Sequence, residues 1–265
     1  VVDKNAVAHQ AASMLRALLN HHVFRIIWVL LAIGFASKSS ASLLLPQNLS
    51  SPDRKEALRL IGFGTAAKTL SDPYALGGYN GLEFGLSLET IPTEDLARLG
   101  NRLVAAQSDV TVPKFSVGKG LYSNLDFFIH FIPYNQRNEL SQFGGILRWS
   151  FFEASSLPLS ASVVAHINTG NISNQMATRT YGIDLMGGIN VNEVALYAGV
   201  GAVQSVGSFV GGTSGVTDTQ RLEYETVNTL HTFAGGTIRV GSVFVAIQLD
   251  RYTQSVLSGK LGLRF

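Results

Sequence analysis

The sequence predicts an all-β fold: a closed antiparallel transmembrane β-barrel of about ten strands, within a range of roughly eight to twelve, behind a short helical N-terminal segment. Three observations carry this. Charged residues make up 14% of the chain against 46% hydrophobic, where a soluble domain carries about 25% charged. From residue 82 onward apolar side chains recur at every second position, the spacing that sends successive side chains to opposite faces of a strand. The joins between these runs alternate between short and mostly longer, as the turns and loops of a membrane barrel do.

Composition narrows the alternatives. The 27 glycines, and the lack of any run near the roughly 20 apolar residues that a spanning helix needs, argue against a helical membrane protein. The chain has no cysteine, which removes disulfide scaffolds and thiolate metal sites. Its supply of Val, Ile, Leu and Phe is too large for a disordered chain.

The one long apolar block near the front spans residues 26–36. Arg16, His21, His22 and Arg25 precede it, and Ser39, Ser40, Ala41 and Ser42 follow. A basic stretch, a short apolar core and a small-residue exit are the layout of a secretory signal peptide, here over residues 1–42 with Met14 as a possible true start. Cleavage near Ala41 or Ser42 removes Lys4, Arg16, Arg25 and Lys38 together with Asp3. Of 20 basic and 18 acidic residues that leaves 16 and 17, a net charge of −1. No basic stripe remains to suggest nucleic acid.

Residues 43–80 differ in pattern from the strand-like remainder of the chain. Ser51-Pro52-Asp53 predicts a helix start, and Leu58, Leu60 and Ile61 give the helix an apolar side through Leu70. Gly77 and Gly78 break it. Its apolar residues need burial, so the segment lies in the periplasm or folds into the lumen as a plug. A second short helix is predicted at residues 92–99, where Thr93 precedes Glu94 and Asp95.

Residues 81–265 form the barrel. In the last run Leu257, Gly259, Leu261, Leu263 and Phe265 share one face, with Ser258, Lys260, Gly262 and Arg264 on the other. The same split separates Phe127, Ile129 and Phe131 from Asp126 and His130, and Phe143, Leu147, Trp149 and Phe151 from Gln142, Arg148 and Ser150. Short joins at 118–123, 153–156, 190–193 and 239–241 alternate with joins at 91–109, 134–137, 168–177, 207–220 and 251–253. Short turns belong to the periplasmic side of such barrels, which puts both ends of the barrel there. Tyr134, Tyr181, Tyr224 and Tyr252 then mark the outer interface, and Trp149, Phe151 and Phe265 the inner one.

A signal layout, alternating strands and a chain ending Leu261-Gly262-Leu263-Arg264-Phe265 together resemble the outer-membrane β-barrel proteins of Gram-negative bacteria. The resemblance covers about residues 82–265 and names no subfamily. It implies residence in the cell outer membrane among outer-membrane lipids, and delivery by periplasmic chaperones. It also implies recognition by the barrel-assembly machinery, with Leu261, Leu263 and Phe265 as the assembly signal.

For chemistry the sequence offers little beyond the polar face. His166 and Asn168 are similar to the His-x-Ser motif of outer-membrane lipid hydrolases, but Asn168 stands where a nucleophile is needed. Parity also turns both away from lipid, so no enzyme and no catalytic residue is expected. The glycine pairs lie within strands rather than before a helix, which excludes a phosphate cradle. No His, Asp and Glu cluster has metal-ligand spacing, so neither metal nor cofactor is expected. Parity places Glu83, Lys114, Asp126, His130, Arg148, Asp184, Arg239, Asp250, Lys260 and Arg264 toward the lumen, with Glu89, Glu223 and Glu225. Unpaired buried charges are expensive, so a narrow lumen should pair them. The expected role is structural, or a narrow passive pore for small solutes. The alternatives are lipid hydrolysis and adhesion through the outer loops, chiefly 207–220.

Overall fold

A computed structural model describes residues 43–102, 109–132, 140–154 and 156–265. The segment read as a signal peptide, and the loop holding Tyr134, lie outside these. Ten strands follow one another around a closed barrel: β1 (Leu82–Pro92), β2 (Asp109–Gly120), β3 (Leu125–Ile132), β4 (Leu140–Glu153) and β5 (Leu159–Ile172), then β6 (Met176–Val191), β7 (Val194–Phe209), β8 (Glu223–Val240), β9 (Val243–Arg251) and β10 (Ser255–Arg264). Each pairs antiparallel with its chain neighbours, and β1 closes on β10 with Glu83 opposite Arg264 and Ser87 opposite Lys260. Closure leaves no unpaired edge, the condition for a sheet to sit in hydrocarbon.

The faces divide as the period of two predicts. Phe127, Phe143, Leu147, Trp149, Ile247, Leu257 and Leu263 are exposed on the outside, while Asp126, Arg148, Gln248, Asp250, Ser258 and Lys260 are buried inside. A soluble barrel would bury the first set. This polarity is that of a wall facing lipid. The inward face is not purely polar, because Phe128, Tyr197, Phe233 and Phe244 also turn into the lumen and are buried there.

The N-terminal segment fills the lumen. Helix α1 (Ser51–Ala57) starts one residue earlier than expected: Ser50 is its cap, and the Asp53 carboxylate accepts from the Ser50 amide (3.2 Å) and hydroxyl (2.7 Å). The predicted continuation to Leu70 is replaced by a π-helical turn, Leu58–Phe63, and then by irregular chain that threads to β1. The reason lies in the wall. The Thr65 carbonyl accepts from Lys114 Nζ (3.0 Å), Gln142 Nε2 (2.6 Å) and Asn168 Nδ2 (3.1 Å), so lumen side chains satisfy backbone that a helix would have satisfied itself.

Two other expectations change. Residues 168–177 are strand except for a three-residue turn, 173–175, in which Ser173 and Asn174 have positive φ (51° and 56°). These twist the turn to match the hairpin, so pairing runs on to Ile172 opposite Met176. The short helix expected at 92–99 is present as a 3-10 helix, Glu94–Arg98, with Arg98 paired to Asp95 at 3.0 Å on the exposed side. Tyr252, expected at the lipid interface, is instead buried, stacked on His231 (4.3 Å) and Phe63 (5.8 Å), because its turn folds inward over the lumen.

Candidate functional site

A barrel of about eight strands has an interior just wide enough for side chains. Ten strands leave room for one more chain, and residues 43–81 occupy it. This segment begins at the long-loop mouth, where Leu49 bridges Thr217 and the Asn101 amide donates to the Gln47 carbonyl at 2.9 Å. It ends at the short-turn mouth, where the Leu82 and Phe265 backbones exchange hydrogen bonds of 3.1 and 2.9 Å.

Three ionic levels hold it. At the long-loop mouth Arg54 meets Asp218 (2.7 Å) and Glu225 (3.1 Å) and donates to the Leu49 carbonyl (2.8 Å). The loop between β7 and β8 is thereby tied to the plug. At mid-height Glu89 sits between Lys68 of the plug (2.5 Å) and Lys114 of the wall (2.8 Å). Near the short-turn mouth Glu83 accepts from Lys260 (2.7 Å) and Arg264 (2.8 Å) across the closing seam, and Arg264 reaches Asp72 (3.3 Å) and Ser71 Oγ (2.7 Å) of the plug. Beside it Arg148 puts Nε (3.1 Å) and Nη2 (2.8 Å) on Asp126 Oδ2, and donates to Ser71 Oγ and the Asp72 carbonyl. Asp126 also accepts the Leu76 amide at 3.1 Å.

These cations stand over inward aromatic rings. Arg148 lies 5.1 Å from the Phe128 centroid, Arg264 5.2 Å and Lys260 5.5 Å from that of Phe244. The rings stabilise charge where water is scarce.

The structure thus brings Glu83, Lys114, Asp126, Arg148, Lys260 and Arg264 into networks with the plug. His130 contacts Asn168 at 3.4 Å, and Asp184 and Asp250 join His231 instead. Arg239 keeps the inward parity but is exposed, lining a polar recess of about 280 Å³ at the short-turn mouth with Asp72, Glu153 and Glu193. Leu261, Leu263 and Phe265 face outward. His166 and Asn168 are buried in the lumen, away from lipid.

Sequence reasoning missed the plug's half of every network: Arg54, Thr65, Lys68, Ser71 and Asp72. The signal was present, since Lys68 and Asp72 interrupt a stretch otherwise made of small and apolar residues, and such charges need partners wherever the stretch is buried.

The plug's position is directly testable. A Cβ at Gly62 would lie 3.2 Å from Ser205 Cβ, within a few tenths of an ångström of disulfide spacing. In this cysteine-free chain the pair Gly62→Cys and Ser205→Cys will cross-link under mild oxidation, read as a mobility change on a denaturing gel. Absence of the link in folded protein would place the segment elsewhere.

Closure, a lipid-facing exterior and an ion-paired interior define the class: a small plugged transmembrane β-barrel. Among solved structures the chain is similar to Ail, the attachment invasion locus protein of Yersinia pestis, at 14% identity, covering 70% of this chain and 97% of that one with a TM-score of 0.29. It is also similar to the Acinetobacter baumannii outer membrane protein Omp33, at 10% identity over 72% and 98% with a TM-score of 0.29. Neisserial surface protein A matches at 14% identity over 69% and 95% with a TM-score of 0.28. Identities and TM-scores this low leave the class resting on the barrel's own closure and faces. No protein-family model matches the chain, and no curated protein does.

Proposed function

We propose that the chain is an outer-membrane barrel with a structural role, sealed at rest by its own N-terminal segment, and that the narrow passage its lumen could offer is closed. One observation carries this: residues 54 to 76 are bonded to the wall at every level of the lumen, from Arg54 on Glu225 to Leu76 on Asp126. The void between Lys68, Glu89, Lys114 and Lys260 is about 10 Å³, room for about one water.

In this reading the short-turn mouth is periplasmic, and Phe265, with Leu261 and Leu263, is the outward-facing end that assembly factors and lipid meet. The chain has no hydrolytic role in this reading, since His166 and Asn168 are buried in the lumen away from lipid and no nucleophile stands between them. Adhesion is not favoured either, because the loop after β7 is pinned inward by Asp218.

The test is conductance of folded protein in planar bilayers, with insertion proved independently. Residues 43–265 keep Trp149 as their single tryptophan, and its side chain is exposed on the outer wall. Brominated acyl chains will quench it, heated and unheated samples will differ on a gel, and the same preparation will show no resolved current steps. Steady ohmic current from quenched, folded protein would overturn the sealed reading. An unquenched Trp149 in folded protein would overturn the membrane one.

A further inference from the structure

We infer that His166, Asp184 and His231 form a binding site for one divalent transition-metal ion of the zinc class, on the inner wall of the barrel. The three stand on β5, β6 and β8, and one donor atom from each lies within 4.8 Å of the others. His231 Nδ1 is 2.8 Å from Asp184 Oδ1, and His166 Nε2 is 3.3 Å from Asp184 Oδ2. Zinc takes imidazole nitrogen and carboxylate oxygen at about 2.0–2.2 Å, which sets tetrahedral donors a little over 3 Å apart. The Asp184 carboxylate thus holds one imidazole nitrogen at each of its oxygens, the His166 contact at about that spacing and the His231 contact closer by a few tenths of an ångström.

Charge points the same way. Glu83, Glu89, Asp126 and Glu225 each have a lysine or arginine partner. Asp184 and Asp250 have none within ion-pairing distance among the described residues; imidazoles and Gln248 surround them instead. Asp250 Oδ2 and both nitrogens of His166 are buried without a hydrogen-bond partner. Two adjacent buried carboxylates without a cation are costly, and a divalent ion supplies the missing charge.

The surroundings suit a ligand set. His231 Nε2 is 3.0 Å from Asp250 Oδ1, the carboxylate–histidine contact that fixes the tautomer of a metal-binding imidazole. Gln248 Nε2 donates to the same oxygen at 2.7 Å. The His231 ring is held between Tyr252 (4.3 Å) and Phe233 (5.0 Å). The donors pack directly against glycines of the wall: a Cβ at Gly182 would lie 2.1 Å from His166 Nε2, and one at Gly201 2.1 Å from Asp184 Oδ1, so the cluster can form only where these strands carry no side chain. No local spacing marks the site in the sequence, because each ligand comes from a different strand.

The competing arrangement is a protonated His231 bridging the two aspartates. To separate them, the full chain is refolded in detergent with Co2+ as the probe, and free metal is removed by gel filtration. The expected result is one Co2+ per folded chain with visible ligand-field absorption. His166→Ala, with its heat-modifiable mobility intact, will lose both, and Asp250→Asn will weaken binding about 10- to 100-fold. Should His166→Ala not fold, Gly182→Val displaces the His166 imidazole from the donor set and gives the same reading. Folded protein without stoichiometric Co2+, or absorption unchanged in His166→Ala and in Gly182→Val, would overturn the site. In the second case the metal sits elsewhere, as on His9, His21 or His22.

Discussion

A chain lacking residues 43–76 will fold into the same barrel and pass ions in discrete ohmic steps, where the full chain stays silent. The wall keeps internal partners when the plug is gone: Glu89 retains Lys114, Asp126 retains Arg148, and Glu83 retains Lys260 and Arg264. What it loses is apolar and backbone contact. Val203 and Phe209, now packed in one buried cluster with Leu58 and Phe63 of the plug, would meet water. Apolar burial is worth about 25 cal/mol per Å², so the truncated barrel will also unfold at lower urea. The pinned Gly62→Cys, Ser205→Cys chain supplies the control: oxidised it stays closed under applied voltage, and reduced it behaves as the parent. A truncated barrel that inserts and remains silent would mean that the wall side chains collapse into the vacated lumen and that the plug is not the seal.

Replacing Arg148 with methionine will destabilise the folded barrel by about 3–5 kcal/mol, the cost of leaving a buried charge without its partner. Arg148 and Asp126 are both fully buried. Without the guanidinium, Asp126 keeps only the Leu76 amide, while Ser71 Oγ and the Asp72 carbonyl lose a donor. The effect will appear as a shift in urea unfolding midpoint, followed by gel mobility in detergent. The double variant Arg148→Met, Asp126→Leu will recover much of the loss, since an apolar pair can replace a buried ion pair at little cost. Full recovery is not expected, because the Leu76 amide would then be unsatisfied, at about 1–3 kcal/mol. Arg98→Ala, which breaks an exposed pair with Asp95, will change stability by less than about 1 kcal/mol. Equal losses from Arg148→Met and Arg98→Ala would show that the lumen is wet and its charges solvated.

How far the sequence could be read varies from element to element. β10 was fully legible, because Leu257 to Phe265 alternate without a break. β5 and β6 were legible in face but not in length: residues 168–177 look like a loop, and only pairing with β4 and β6 shows them to be strand with a tight turn. The helix start at Ser50 was legible to within a residue from its capping pattern. Its end was not, since Leu58 to Leu70 carry helical residues whose backbone is claimed by the wall. Inward Phe128 and Phe244 were passed over because alternation marks apolar residues as lipid-facing, and nothing local says that a cation will lie over the ring.

The wall follows from the order of residues alone. A period of two decides which side chains share a face, and the scarcity of charge decides that one of those faces meets lipid; both are local properties of the chain. What the wall encloses follows from the closed fold. Glu83 meets Arg264 across 181 residues, Arg54 meets Glu225 across 171, and His231 joins Asp184 across 47. Such pairings depend on the closing register of β1 on β10 and on the width that ten strands leave inside. Those are set when the sheet closes, so no spacing along the chain records them.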